Sequence, residues 1–322
     1  MNPTNEAHEP FLRLDDLPAD LPPLAVAVGV FDGVHKGHQA LLAGAQKAAG
    51  AAHDATPAAL TFDPHPACVF SPSRVPPLLT TVDERADLLR AHGARIVIVA
   101  RFDRAFAAQT PGEFVRHVLL EKLGARAVIV GDDFRYGCDR QGDARTLRAE
   151  GEQHGFAVEI VPPVLVNGVP ARSSVIRQAV AGGGAGAIEE AARLLGRPYT
   201  LAGTVVKGRQ LGRTLGFPTA NVAPNDPARL VPGEGVYAGR VRVGGVWHRA
   251  AISVGTNPTV VSAGARTVEA YLLDGFGADI YGQTVAVKFV AFLRAQETYE
   301  TLDALIAQMN RDVEETRRRV RL

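Results

Sequence analysis

The stretch VGVFDGVHKGHQALL, Val28 to Leu42, sets Gly29, Gly33, His35 and His38 where an apolar run gives way to a helix-like run. A helix N-terminus presents unbonded N–H groups and positive potential, which suit phosphate. Gly29 and Gly33 allow a nucleotide to approach the backbone closely. His35 and His38 can both donate to one phosphate chain, stabilising charge on an α-phosphate during an in-line displacement. The competing reading is a glycine-rich turn with two surface histidines. Farther on, RSSVIRQAV brings Ser173, Ser174 and Arg177 to a second helix start. There the serines can cap the helix and donate to phosphate, with Arg177 on the next turn facing the same way. Taken alone, the same string is an ordinary helix cap.

The second half carries another constellation, GTVVKGRQLGRTLGFPTANV, Gly203 to Val222. Gly208, Gly212 and Gly216, with Lys207 and Arg213 between them, suit a loop that wraps a polyphosphate with backbone N–H groups and cations. Thr219 and Asn221 stand two apart, so they face the same way from an extended segment. Both carry hard oxygen atoms that suit Mg²⁺ bridging nucleotide phosphates. No Gly-Lys-Ser/Thr closes the string, so it is unlike a Walker A loop. Glu269 lies in an apolar strand pattern, Thr267 to Leu273. A carboxylate there is costly to bury unless it has a partner or a task. The plainer alternatives are a glycine-rich turn and the exposed side of a half-buried strand.

These residues need elements to hold them. In the first half, short apolar runs at 24–30, 58–62, 95–100, 127–130 and 157–161 alternate with helix-like stretches at 38–49, 82–92, 111–123 and 143–154. That alternation predicts βαβ units and a parallel sheet covered on both faces. Ligands of such sheets bind at the carboxyl ends of the strands, where the histidine string lies. A glycine-rich patch at 181–186 and a short helix at 187–195 follow. The runs 199–206, 235–243, 246–254, 266–273 and 284–293 are then rich in β-branched and aromatic residues. With a tight hairpin at Gly244–Gly245, they predict a small antiparallel barrel. An amphipathic helix from Leu302 to about Val320 ends the chain, and Arg317, Arg318 and Arg319 suit the negative end of its dipole.

The 322 residues suffice for two domains, and the formal net charge of +1 gives no global field for nucleic acid or an anionic membrane. No long apolar run predicts a membrane span, and the acidic, polar start does not have the pattern of a secretory signal. Two cysteines, Cys68 and Cys138, stand far apart with no metal-ligand spacing, which fits a reducing compartment.

The full string Gly-x-Phe-Asp-Gly-x-His-x-Gly-His resembles the HxGH signature of the nucleotidylyltransferases, and Ser173, Ser174 and Arg177 resemble their second phosphate-gripping run. Arg172 and Val175 depart from that run at two polar positions. TFDPHP (Thr61–Pro66), GDDFRYG (Gly131–Gly137), the PTAN string, GVYAG (Gly235–Gly239) and SVGTNPT (Ser253–Thr259) narrow the likeness to the bacterial bifunctional riboflavin kinase/FAD synthetases. The resemblance runs from about Leu24 to Val320.

It implies an N-terminal Rossmann-like nucleotidylyltransferase domain, residues 1–186, and a C-terminal barrel of riboflavin kinase type with a terminal helix, residues 187–322. It implies that Gly29, Phe31, Asp32, Gly33, His35, His38, Ser173, Ser174 and Arg177 handle ATP in the first domain. Phe62, Asp132 and Phe134 would then hold the flavin, although both phenylalanines also suit a core. In the second domain Lys207, Gly208, Arg213 and Gly216 would bind nucleotide, Thr219 and Asn221 Mg²⁺, and Arg294 flavin or phosphate. Glu269 would be the base that deprotonates the ribityl 5′-hydroxyl, beside Tyr271 where the family often has histidine. The implied chemistry is riboflavin to FMN, then FMN to FAD, using ATP in the cytoplasm, with neither nucleic acid nor membrane as partner. The rivals are a kinase with a degenerate N-terminal domain and a flavin-binding protein without turnover.

Overall fold

The computed structural model describes residues 11–51, 54–208, 216–256, 266–274 and 276–321. By internal contacts the chain forms two compact units, Met1–Ala171 and Arg172–Leu322.

Unit 1 is the expected α/β half. Its strands are β1 (Leu12–Arg13), β2 (Leu24–Val28), β3 (Thr56–Asp63), β4 (Ile96–Arg101), β5 (Ala125–Gly131), β6 (Arg135–Tyr136), β7 (Gly142–Asp143), β8 (Ala157–Val161), β9 (Leu165–Val166) and β10 (Val169–Pro170). Its helices are α1 (Lys36–Gly50), the short α2 (Ala67–Phe70), α3 (Val82–Ala91), the short α4 (Arg104–Ala107), α5 (Pro111–Glu113) and α6 (Ala144–His154). After α5 the chain continues in wider π-type turns over Phe114–Lys122. A six-stranded sheet runs β1-β4-β3-β2-β5-β8, every neighbouring pair parallel. From β2 the chain builds outward to β3 and β4 on one side, then to β5 and β8 on the other. The direction of winding therefore reverses beside β2, which opens a crevice at its carboxyl end.

Strand β2 is buried along its whole length, as the apolar run requires. Leu24, Val26 and Val28 join the core on one face. Ala25 and Ala27 join the core that holds Leu41, Leu42 and Ala45 of α1 on the other. The small alanines let α1 lie close to the strand whose loop it continues. Thr81 and Glu84 form a capping box at α3, and Thr110 and Glu113 form one at α5 with Pro111 in its first turn.

Unit 2 begins with α7 (Ser173–Gly182) and α8 (Ala187–Leu195). Strands β11 (Tyr199–Val206), β12 (Thr219–Pro224), β13 (Gly235–Val243), β14 (Val246–Thr256), β15 (Arg266–Leu272) and β16 (Thr284–Arg294) close a barrel in the order β11-β12-β15-β14-β13-β16. Helix α9 (Leu302–Arg319) follows. The β13–β14 hairpin turns on Gly244 and Gly245 at φ +54° and +89°, the two positive angles a tight primed turn demands. Tyr237 and Phe289 fill the barrel interior edge to face. The Tyr237 hydroxyl donates to the Gly233 carbonyl at 2.6 Å, and burial pushes its pKa up to about 12. On the outer wall, Ile306, Met309 and Val313 of α9 pack with Phe217, Ala251, Tyr271 and Leu273. Arg317, Arg318 and Arg319 pair with Glu314 and Glu315 on their own helix.

Two details differ from the sequence reading. Residues 219–224, read as an extended segment and not counted among the barrel strands, form a full strand of the barrel. The contact division falls after Ala171, earlier than the boundary expected at 186, because α7 belongs with unit 2. It packs on α8, and its last turn accepts N–H from Gly233 at the Val180 carbonyl, 2.8 Å. The glycine-rich patch at 181–186 is the tight turn between two packed helices, with Gly183, Gly184 and Gly186 all at positive φ.

Candidate active sites

In unit 1 the segment 29–35 is braced from three sides. Thr61 Oγ1 donates to the Val30 carbonyl at 2.9 Å. The Gly33 N–H donates to Thr80 Oγ1 at 3.0 Å. Asp32, 1 % exposed, accepts from the Leu79 and Thr80 N–H groups and from Thr80 Oγ1 at 3.0–3.1 Å. These bonds hold Phe31 and Val34 at φ +55° and +40°, angles that side-chained residues rarely adopt.

The bracing delivers the histidines. His35 caps α1, its Nδ1 accepting the His38 N–H at 3.3 Å. An imidazole accepting at Nδ1 carries its neutral-state proton on Nε2, so His35 presents a donor there. The two rings stack with centroids 3.6 Å apart and planes 19° from parallel, and Phe31 meets His38 edge on at 5.0 Å. Gly37 is needed for close approach: a Cβ there would lie 3.0 Å from the Ala171 carbonyl and 3.1 Å from the His35 ring. The pair therefore lies at the carboxyl end of β2, on the N-terminus of α1, as the spacing predicted.

Several expected nucleotide and flavin residues take other positions. Asp32 spends its carboxylate on residues 79–80 and braces the segment instead of facing a ligand. Phe31 is fully buried behind His38. Phe62 is a core residue, packed edge on against Phe102 and Phe106. Phe134 is half-buried and stacks on Tyr136 with centroids 5.5 Å apart, while Asp132 is exposed beside it. Ser173 and Ser174 do not cap α7. The cap position is Arg172, so the serines occupy the first turn, with Arg177 half-buried on the next. The sequence reading missed Thr80, Tyr136 and the buried Arg85, whose guanidinium donates to Thr61 Oγ1 at 3.1 Å and the Phe62 carbonyl at 2.9 Å. The Thr-x-x-Glu capping box at 81–84 was the available signal for where this supporting loop ends.

In unit 2, β12, β15 and β14 place their alternate residues on the outer wall. Asn221 and Ser253 stand directly opposite Glu269 on either side, and Thr219 stands opposite Tyr271. Thr219 Oγ1 donates to Glu269 Oε2 at 3.3 Å. Gly208 crowds Asn221 so closely that a Cβ would fall 2.2 Å from Nδ2. Gly216 holds φ +83° and Lys207 is exposed, while Arg213 lies outside the described residues. Arg294 is not open to flavin or phosphate. It grips Asp312 of α9 through Nε at 3.0 Å and Nη2 at 2.8 Å. Burial opposes its charge, but Asp312 outweighs that and holds its pKa above the ordinary guanidinium value.

Thr219 and Asn221 supply a hydroxyl and an amide oxygen beside one carboxylate, a hard donor set that fits Mg²⁺. Among the described residues no group of three or more His, Cys, Asp or Glu side chains gathers at one place. An ion at this wall would therefore take most of its ligands from a nucleotide and water. No helix among the described residues is long and apolar enough to cross a membrane.

Comparison with known proteins assigns both halves. Residues 17–175 match the FAD synthetase family and residues 195–320 the riboflavin kinase family. A bifunctional riboflavin kinase/FMN adenylyltransferase of Listeria monocytogenes is 39% identical, with 91% of each chain covered. One of Escherichia coli K12 is 38% identical, covering 89% of this chain and 90% of its own. A crystal structure from Streptococcus pneumoniae, titled a macrolide-efflux protein, superposes with TM-score 0.83 at 32% identity, covering 94% of this chain and 96% of that one. With both modules matched in order and relatives aligned over nearly their whole length, the chain belongs to the bifunctional riboflavin kinase/FMN adenylyltransferase family.

Proposed function

We propose that unit 2 phosphorylates riboflavin to FMN and that the N-terminal domain adenylylates FMN to FAD, each with ATP. In the first reaction Glu269 accepts the proton of the ribityl 5′-hydroxyl as that oxygen bonds to the γ-phosphorus. The bond from the γ-phosphorus to the β-bridging oxygen breaks, and ADP leaves. Thr219 fixes the carboxylate by donating to Oε2, which leaves the lone pairs of its own hydroxyl for a cation. Mg²⁺ held by Thr219, Asn221 and the phosphates would supply charge neutralisation, a main contribution in phosphoryl transfer together with positioning. Gly208 keeps Asn221 in place by leaving no room for a side chain.

In the second reaction an FMN phosphate oxygen attacks the α-phosphorus of ATP, and pyrophosphate leaves. His35 donates from Nε2 and His38 stands stacked beside it, both at the helix N-terminus where charge develops. Ser173, Ser174 and Arg177 are assigned to the ATP phosphates, and the Phe134–Tyr136 stack to the isoalloxazine ring. The functional boundary is placed at 186–187, between the two segments matched by the families. The substrates are small molecules, and ATP chemistry with free thiols at Cys68 and Cys138 suits the cytoplasm.

The observation that carries this reading is that Glu269, Thr219 and Asn221 meet within unit 2 while His35 and His38 stack within unit 1. Glu269→Ala is expected to abolish FMN formation, followed by chromatography of riboflavin products, and to spare adenylylation of added FMN. Loss of both activities in a folded variant would refute the division into two sites. A wild-type product that stops at FMN would refute the synthetase half.

A further inference from the structure

The outer wall of the barrel carries a second group of side chains, around from Glu269 across β14, β13 and β16. Arg240 stands opposite Lys288 on one side and Arg249 on the other, and Arg242 stands opposite Trp247. Lys288 Nζ sits 4.1 Å from the centroid of the Trp247 ring, and the Arg242 guanidinium carbon sits 5.6 Å from it. Trp247 is the single tryptophan of the chain.

Four cations meet here, and only one is neutralised. Arg249 is taken by Asp274 at 2.9 Å. Among the described residues no carboxylate pairs with Arg240, Arg242 or Lys288, and the enclosed Arg240 Nε has no hydrogen-bond acceptor. Burial, then the charges of Arg240 and Arg242, pull the Lys288 pKa below its ordinary value. The indole offsets part of this cost through its negative ring face, but it cannot accept the guanidinium hydrogens as an oxyanion does.

We propose that Arg240, Arg242, Lys288 and Trp247 form a binding site for a small anion bearing a diphosphate group. Residues two apart on a strand stand about 7 Å apart, so Arg240 and Arg242 are spaced more widely than one phosphate spans. Two linked phosphates reach both guanidinium groups, with Lys288 beside Arg240 on the neighbouring strand. Arginine forks suit such oxygens in pairs. The site shares no residue with the Glu269 wall or the histidine pair, and Trp247 lies within it, so its occupancy can be read locally from the indole.

The test is titration of the full chain with inorganic pyrophosphate, read by the fluorescence of Trp247, the single tryptophan, which reports this site and not the adenylylation site that also releases pyrophosphate. A saturable response is expected, and orthophosphate should bind about tenfold more weakly. Arg240→Gln, Lys288→Gln and the exposed Arg242→Gln should each weaken pyrophosphate about tenfold, the loss of one charge-assisted hydrogen bond. Lys288→Arg and Arg240→Lys, which keep the charge, should bind within a few-fold of wild type and show that the fold is intact. A response reproduced by KCl at equal ionic strength would overturn the proposal. So would equal affinity for orthophosphate, or a Trp247 fluorescence response that persists in the Arg240→Gln/Lys288→Gln double variant.

Discussion

Asp32 offers the sharpest discrimination between a ligand contact and a supporting role. Its carboxylate is buried, and it receives two backbone N–H groups and the Thr80 hydroxyl. Asp32→Ala strands those donors in a dry site. A hydrogen bond to a charged acceptor contributes about 1.5–3 kcal/mol, and Asp32→Ala leaves several neutral donors without that acceptor. A loss of about 3 kcal/mol in a unit of this size lowers its melting temperature by roughly 6–12 °C. The unbraced segment would also release the positive φ angles of Phe31 and Val34, and with them the cap that His35 makes on α1. Adenylylation of FMN should fall about 100-fold, the scale of a one-ångström misplacement. Riboflavin phosphorylation should hold. Scanning calorimetry of the full chain and separate assays of the two activities measure both effects. If Asp32→Ala melts like wild type and only the KM for ATP rises, Asp32 touches the nucleotide and the bracing argument is wrong.

Arg294→Ala should destabilise unit 2 by about 3–5 kcal/mol, because it leaves Asp312 charged under α9. Denaturant unfolding of Arg294→Met/Asp312→Leu should recover most of that loss. Gly208→Ala should cut riboflavin phosphorylation about 100-fold by displacing Asn221, with adenylylation of added FMN unchanged in the same preparation. The hydrogen bonds from the Thr110 backbone and side chain hold the Glu113 pKa below its ordinary value. A depressed carboxylate contributes stability above its unfolded pKa and loses it as pH falls through the folded one. The melting-temperature gap between wild type and Glu113→Gln should therefore narrow as pH drops from 6 to 3; a constant gap would sink the assignment.

The alternation of apolar runs with amphipathic ones made the parallel sheet legible, because strands buried on both faces leave no polar period to confuse the pattern. The histidine pair was legible for a related reason: a cap and its third neighbour must share one turn, so spacing alone brings them together. Local pattern could not reveal what lies opposite a residue across the fold. Asp32 reads as a ligand contact until residues 79–80 are seen beneath it, and Arg294 reads as open until Asp312 arrives from the terminal helix. Phe62 was ambiguous because an aromatic ring satisfies a core and a flavin equally well, and its packing against Phe102 and Phe106 lies beyond any local pattern. Strand β12 escaped because glycines and prolines surround it, and its strand character comes from pairing with Val205 and Glu269.

The barrel closes by pairing its first strand with its last, Tyr199 against Phe289 and Thr204 against Thr284. No earlier strand can substitute for that seam, so the unit is a topology of distant partners, which fold slowly. On the ribosome, the sheet around β2 has all its strands once β8 has emerged, whereas the barrel must wait for β16. The parallel sheet of unit 1 is thus complete before the barrel in every newly made molecule, and a nascent chain released before Arg294 has no barrel to rescue.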